Sequence, residues 1–195
     1  MREKIGAWFG EEKSRLAGSA GQMRSLRNQT LCAMLLALTI VLDYFGSIYI
    51  LPTVKISLSY IGIALTGALL GPVPAMINGA LSDVLVWVIK PVGAYFPGYT
   101  LSGILGGLIY GVCLYKSRGK GLYIGAAVSK LLVNLFVNVG LNTVWSMIFT
   151  GKAYMVLLPA RAFKNLVAWP IETILLIVIL LCIMRSFGKY RRSGN

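Results

Sequence analysis

Residues able to do chemistry are few in this 195-residue chain, and hydrophobic sequence surrounds nearly all of them. Asn134, Asn138 and Asn142 fall at i, i+4 and i+8, with Trp145 close to the same stripe. That spacing sets three amides on one face of a helix. An amide at membrane depth is costly toward lipid, so it turns to a cavity, a ligand or a neighbouring helix. For Asn138 and Asn142 the reading favours a ligand, with Trp145 available to stack. For the deeper Asn134 it favours hydrogen bonding between helices.

A second cluster opens the last apolar run, Leu158-Pro159-Ala160-Arg161-Ala162-Phe163-Lys164-Asn165. Arg161, Lys164 and Glu172 lie along one helical face. With Pro159 starting the helix, Arg161 falls in the first turn, where the helix end adds partial positive charge. Two cations and a dipole end make a clamp for carboxylates. Asp83 is an intramembrane acid two turns before Lys90. It serves either as ion-pair partner to Lys164 or Arg161, or as acceptor for N–H donors of a ligand. Lys55 and Tyr60 follow the first outer loop, and Lys90, Tyr95 and Tyr99 follow the third span. Tyrosines there stack on a ligand ring or belong to the interfacial aromatic belt.

Absent residues exclude whole classes of chemistry. The chain has no histidine, which removes Ser-His and Cys-His nucleophilic sites and histidine metal centres. Cys32, Cys113 and Cys182 sit in apolar runs and read as buried thiols rather than a disulfide framework or zinc cluster. The Gly-Lys pairs at 119–120, 151–152 and 188–189 lack the remainder of a phosphate-binding loop. Tyr99-Thr100-Leu101-Ser102-Gly103 superficially resembles an intramembrane serine-nucleophile motif but has no base to serve it. No catalytic residue, metal site, cofactor or nucleic-acid partner is expected.

Charge distribution says what must hold these groups. Only 13% of residues are charged, about half the share of a soluble domain. Residues 1–27 and 185–195 carry 13 of the 25 charges, so the stretch between cannot cover itself with a polar surface. The expected fold is an all-α integral membrane bundle of six transmembrane helices, near 30–50, 57–71, 73–90, 97–115, 121–149 and 159–184. The second is short for a span, and Gly71-Pro72-Val73-Pro74 turns tightly into the third. Basic residues crowd the N-terminal segment, the Lys116–Lys120 connection and the tail, while Lys55, Lys90 and Lys152 mark the opposite side. The positive-inside rule then predicts that both termini are cytoplasmic, which requires an even number of spans. The organisation is a basic cytoplasmic segment 1–27, a six-helix membrane domain 28–186 and a basic cytoplasmic tail 187–195. The N-terminal segment reads as a solvated tail or as a helix lying on the inner leaflet.

Small residues recur every four positions. Gly103, Gly107 and Gly111 do so in span four and are expected to pack inside the bundle. Ala33 and Ala37 do so in span one.

Taken together, the chain resembles the substrate-binding S components of energy-coupling factor (ECF) vitamin transporters. The resemblance rests on a chain of this size with six spans and a basic inside, and on Ala33-Met34-Leu35-Leu36-Ala37. Within that group it is most similar to the folate-specific members. The residues that carry this are KISLSYIGIALTGALLGP at 55–72, YFPGYTLSGILGGLIYG at 95–111, NVGLNTVWSMIFTGKAY at 138–154 and LPARAFKNLVAWPIE at 158–172. The resemblance implies a non-enzymatic multi-pass protein of the bacterial plasma membrane that captures folate outside. It also implies docking, through Ala33 and Ala37, on a membrane coupling subunit joined to two cytoplasmic ATPases. Lys55, Arg161 and Lys164 would then neutralise the glutamate tail, Tyr60, Tyr99 and Trp145 would stack on rings, and Asp83, Asn138 or Asn142 would read the pterin edge. The alternatives are an S component for another vitamin, such as riboflavin, and a non-transport membrane bundle.

Overall fold

The computed structural model describes residues 18–21, 23–46, 48–51, 54–91, 94–117, 119–151 and 154–193. Helix α1 runs Leu26–Phe45 and is followed by a two-stranded antiparallel hairpin, β1 Ile48–Leu51 and β2 Val54–Ile56. Then come α2 Tyr60–Leu70, α3 Pro72–Ile89, α4 Pro97–Leu114, α5 Lys120–Leu132, a π-helical segment Val133–Leu141, α6 Asn142–Thr150 and α7 Tyr154–Ser193. Among the described residues, five stretches are long and apolar enough to cross a membrane: α1, α3, α4, Lys120–Phe149 taken as one rod, and Arg161–Ile183 within α7.

Helix α2 is different. Its 11 residues rise only about 16 Å, half the hydrocarbon thickness. Nine of them are buried, including Ala64 and Leu65, so α2 is the core that the other helices wrap. A helix hidden from lipid has no need to match the bilayer.

Two boundaries and one span interior depart from expectation. The first expected span reaches residue 50, yet α1 stops at Phe45 and the apolar Ile48–Leu51 becomes a strand, because its pairing with Val54–Ile56 satisfies the backbone locally. The fifth span is continuous but carries nine π-helical residues in its middle. Pro159 does not open the last helix. That helix begins at Tyr154 and contains both Pro159 and Pro170, so Arg161 lies two turns inside it and takes nothing from the dipole end.

The glycine ladder packs inside the bundle. A Cβ on Gly103 would strike the backbone of Gly79, one on Gly107 the backbone of Ala75, and one on Gly111 that of Pro72. Helix α4 therefore lies backbone to backbone on α3 along its length. Gly71, at φ +98°, and Pro72 make the α2–α3 turn. The buried Ser19 packs against it and accepts the Val73 N–H at 3.4 Å, so part of the N-terminal segment is seated on the bundle.

The outer surface is apolar. Met34 on α1 and Phe163, Leu166, Ile171 and Ile174 on α7 are exposed by 64% or more. Such a surface suits acyl chains, not water.

Candidate ligand-binding site

Helices α2 to α7, with the end of α1 and the segment after the hairpin, leave a cavity of about 540 Å³, the size of a pocket for a drug-sized molecule. Of the residues singled out from the sequence, Tyr60, Asp83, Lys90, Tyr95, Tyr99, Asn138, Asn142, Arg161, Lys164 and Glu172 line it. Trp145 does not. It stands behind the wall, stacked at a tilt on Phe96 with centroids 5.7 Å apart, and its indole donates to Ser102 Oγ at 3.1 Å. Lys55 lies on β2 opposite Tyr49, and its side chain is outside the described residues.

The three amides form one chain. Asn142 Nδ2 donates to Asn138 Oδ1 at 3.3 Å, and Asn138 Nδ2 to Asn134 Oδ1 at 3.0 Å. Asn134 is buried and donates across to the Asn165 carbonyl at 3.5 Å, which is the interhelical role its depth suggested. Asn165 Nδ2 in turn donates to the Arg161 carbonyl at 2.9 Å. Direction along this chain is consistent, and it leaves Asn142 Oδ1 buried with no partner among the described residues. An orphaned acceptor in a cavity wall costs about 1–3 kcal/mol until a donor arrives.

Arg161 anchors the adjoining wall. Its Nη2 donates to Ser146 Oγ at 2.6 Å, and Ser146 shares a 2.9 Å hydrogen bond with the Tyr99 hydroxyl. Opposite, Asp83 accepts from Thr100 Oγ1 at 2.6 Å. Thr100 has one hydroxyl proton, so the 2.6 Å contact between Thr100 and Tyr95 must run with Tyr95 as donor. Asp83 is thus held by a hydroxyl relay from the α4 side. Beside it, Asp43 accepts from Ser57 Oγ at 2.5 Å, tying the end of α1 to the segment after the hairpin.

The floor holds Lys130, which the sequence reading missed. Lys130 is only 2% exposed, and its Nζ is 3.1 Å from Glu172 Oε2 and 3.3 Å above the Tyr60 ring. The Tyr60 hydroxyl donates to the Glu172 carbonyl at 3.2 Å. Tyr60 is therefore not an outer-loop aromatic. Helix α2 climbs too short a distance from the Gly71 turn to bring its first residue to the surface. Lys130, ten residues into α5, reaches about the same depth. A lone lysine inside an apolar helix is itself a signal for a functional site, and by that rule Lys130 was legible. Tyr110 also lines the floor, with its hydroxyl buried and unpartnered among the described residues.

Comparison with known proteins fits this arrangement. The profile of the family "ECF transporter, substrate-specific component" matches residues 27–180. The chain belongs to this family. A folate transporter FolT of Clostridium novyi (strain NT) is 37% identical over 175 residues, spanning 87% of this chain and 100% of that protein. FolT of Leuconostoc mesenteroides is 29% identical over 153 residues, 75% of this chain and 80% of its own length. A crystal structure of FolT bound with folic acid superposes with a TM-score of 0.73 at 28% identity, covering 80% of this chain and 95% of that one. The S component for biotin shares the fold, with a TM-score of 0.63 at 22% identity. These relatives are transport subunits, not enzymes, and this S component is a membrane protein like them.

Proposed function

We propose that the cavity of this S component holds folate, and that the chain delivers it inward as part of an ECF-type importer of the bacterial plasma membrane. The observation that carries the reading is the pairing of cations with an orphaned acceptor in one cavity. Arg161 and Lys164 suit the two carboxylates of a glutamate tail, and Asn142 Oδ1 suits an N–H donor. Tyr99 supplies an aromatic face between them, and Asp83 a second acceptor. Lys55 would add a cation from the hairpin, and Trp145 would act by holding Phe96 and Ser102 in place. The name FolT on relatives that align over most of the chain supports the same ligand.

Binding alone moves nothing, and the chain carries no phosphate-binding loop. We infer that it works with a membrane coupling subunit and two cytoplasmic ATPases, docking through Ala33 and Ala37. Those two alanines are exposed, on the side of α1 away from the buried Cys32, Leu35 and Thr39. For topology we infer six spans, counting the short α2, with residues 1–27 and 187–195 on the cytoplasmic side of a membrane domain at 28–186.

Two measurements test this. Purified protein stripped of ligand should bind folic acid and not riboflavin or biotin in calorimetric titration; a preference for riboflavin would overturn the ligand. In a cysteine-free background, an impermeant thiol reagent added to intact cells should label a cysteine at Gly151 and not one at Ser117. The reverse pattern would overturn the topology.

A further inference from the structure

Three of the long helices end together at one corner of the bundle. A Cβ on Gly71 would come within 2.7 Å of the Ser19 side chain and 3.2 Å of the Tyr115 ring, so the seated N-terminal segment, the start of α3 and the end of α4 meet there. Cys32 Sγ, 4.0 Å from the Pro74 carbonyl, brings the start of α1 to the same corner. Helices α1, α3 and α4 have 20, 18 and 18 residues and rise about 27–30 Å, close to the thickness of the hydrocarbon layer. Their ends therefore fall where the lipid headgroups begin.

Cations gather just past those ends. Arg24 stands two residues before α1, Lys116 two residues after α4, and Lys120 opens α5. All three are exposed. The acids among the described residues are Asp43, Asp83 and Glu172, and all of them line the cavity, so no carboxylate described at this end balances the cations.

Lys116 is not a trailing surface lysine. Its φ of +60° is the one left-handed value at a non-glycine among the described residues. Lysine does not favour that conformation. Ser117 holds the turn, its N–H donating to the Leu114 carbonyl at 3.1 Å and its hydroxyl to the Cys113 carbonyl at 2.9 Å. The Lys116 ammonium lies 5.2 Å from the ring centroid of Tyr115, the buried tyrosine that packs against Gly71. On the other flank, the Arg24 N–H donates to the Gly21 carbonyl at 3.2 Å, in the tight turn that leads from Ser19 into α1.

Next to these cations the surface turns apolar, with Leu26 80% and Ile124 65% exposed. Positive groups above bare apolar side chains match a phospholipid, whose headgroup and acyl chains follow in that order, better than they match an acidic protein. We propose that this corner binds the headgroup of an anionic phospholipid, with Arg24, Lys116 and Lys120 as its counter-ions. The lipid ties the seated N-terminal segment to the α4–α5 turn. By the topology inferred above it belongs to the cytoplasmic leaflet, and the site rests on that reading only for the choice of leaflet.

The test is native mass spectrometry of the full chain in detergent, titrated with phosphatidylglycerol and with phosphatidylcholine. The first phosphatidylglycerol should bind about tenfold more tightly than phosphatidylcholine. Arg24→Gln, Lys116→Gln and Lys120→Gln together should remove most of that preference. Lys116→Gln alone should weaken phosphatidylglycerol binding about fivefold. Arg185→Gln, Lys189→Gln and Arg191→Gln remove as many charges from the tail and should leave it within about twofold. Thermal unfolding checks the fold of each variant. Equal losses in the two triple variants overturn the proposal, because summed charge alone would then attract the lipid. So does equal affinity for the two lipids. Displacement of the lipid by excess glycerol phosphate also overturns it, since the corner would then hold a soluble phosphate. Unaltered lipid binding in the Arg24/Lys116/Lys120 variant, with loss of co-purified coupling subunits, would assign the patch to a protein partner instead. Detergent solution has no inside or outside, so failure here leaves the topology standing. Labelling of a cysteine at Ser117 from outside cells would reverse the leaflet and leave the site.

Discussion

Arg161 on α7 and Ser146 on α6 meet at 2.6 Å, and the same Ser146 oxygen holds the Tyr99 hydroxyl of α4. One guanidinium thus joins three helices at the upper wall of the cavity. Ser146 is buried, so the bond is shielded from water and the arginine's orientation is set before any ligand arrives.

Replacing Arg161 by alanine removes a charge-assisted contact worth about 1.5–3 kcal/mol, so folic acid affinity should fall about 10- to 100-fold. Pteroic acid should lose far less, because it lacks the tail that the arginine is read to neutralise. Calorimetry on both ligands gives the comparison. An equal loss for both would assign Arg161 a structural role through Ser146 and Tyr99.

Tyr110 offers a cleaner substitution. Its ring is 1% exposed and its hydroxyl finds no partner among the described residues. Tyr110→Phe keeps the packing and deletes a desolvated donor, so the ligand-free protein should unfold at the same temperature or higher. If the hydroxyl serves the ligand, affinity falls in the same variant. A clear drop in the unfolding temperature without ligand would mean that the hydroxyl has a structural partner.

Which of these features the sequence displayed follows from how each one is encoded. An amide or ionisable residue in an apolar run is visible in one dimension, so the Asn134–Asn138–Asn142 chain and the Arg161 and Lys164 pair were legible. Glycines four apart were equally legible as a packing face. Depth was not. Tyr60 looks like a loop aromatic until α2 proves to be 11 residues long and largely internal, a fact of packing rather than of residue type. The hairpin was hidden because Ile48–Leu51 is as apolar as the helix before it, and only its partner strand decides the matter. The π segment was hidden because amides four apart align in either kind of helix. Pro159 misled because proline is tolerated inside a long helix whose neighbours hold it, although it is commoner at a start.

Adjacent glycines in α4 should behave oppositely. A Cβ on Gly107 would overlap the Ala75 backbone, which cannot move without parting α3 from α4. Nothing stands within 4 Å of a Cβ on Gly106. Gly107→Ala should cost several kcal/mol and sharply lower the yield of folded protein in detergent, while Gly106→Ala should be within about 0.5 kcal/mol of the parent. Size-exclusion profiles and thermal unfolding of the two variants check this. Equal tolerance would mean that the two helices do not touch at this level.

Binding and docking should separate on opposite faces of the molecule. Ala33 and Ala37 are one turn apart on the exposed side of α1, whereas the cavity is walled by α2 to α7 with Asp43, at the far end of α1, on the buried side. Two tryptophans at 33 and 37 would hold a partner helix away and remove the close approach that small residues permit. They would project toward lipid in the isolated protein, where aromatic side chains are tolerated, and so should leave folic acid affinity within a few-fold. Folate uptake by cells that hold the coupling subunit and ATPases should collapse, and co-purification of those subunits with it. Arg161→Ala should do the reverse, weakening binding while the complex still assembles. Loss of folic acid binding in the Ala33/Ala37 variant with assembly intact would show that α1 shapes the cavity and that the docking face lies elsewhere.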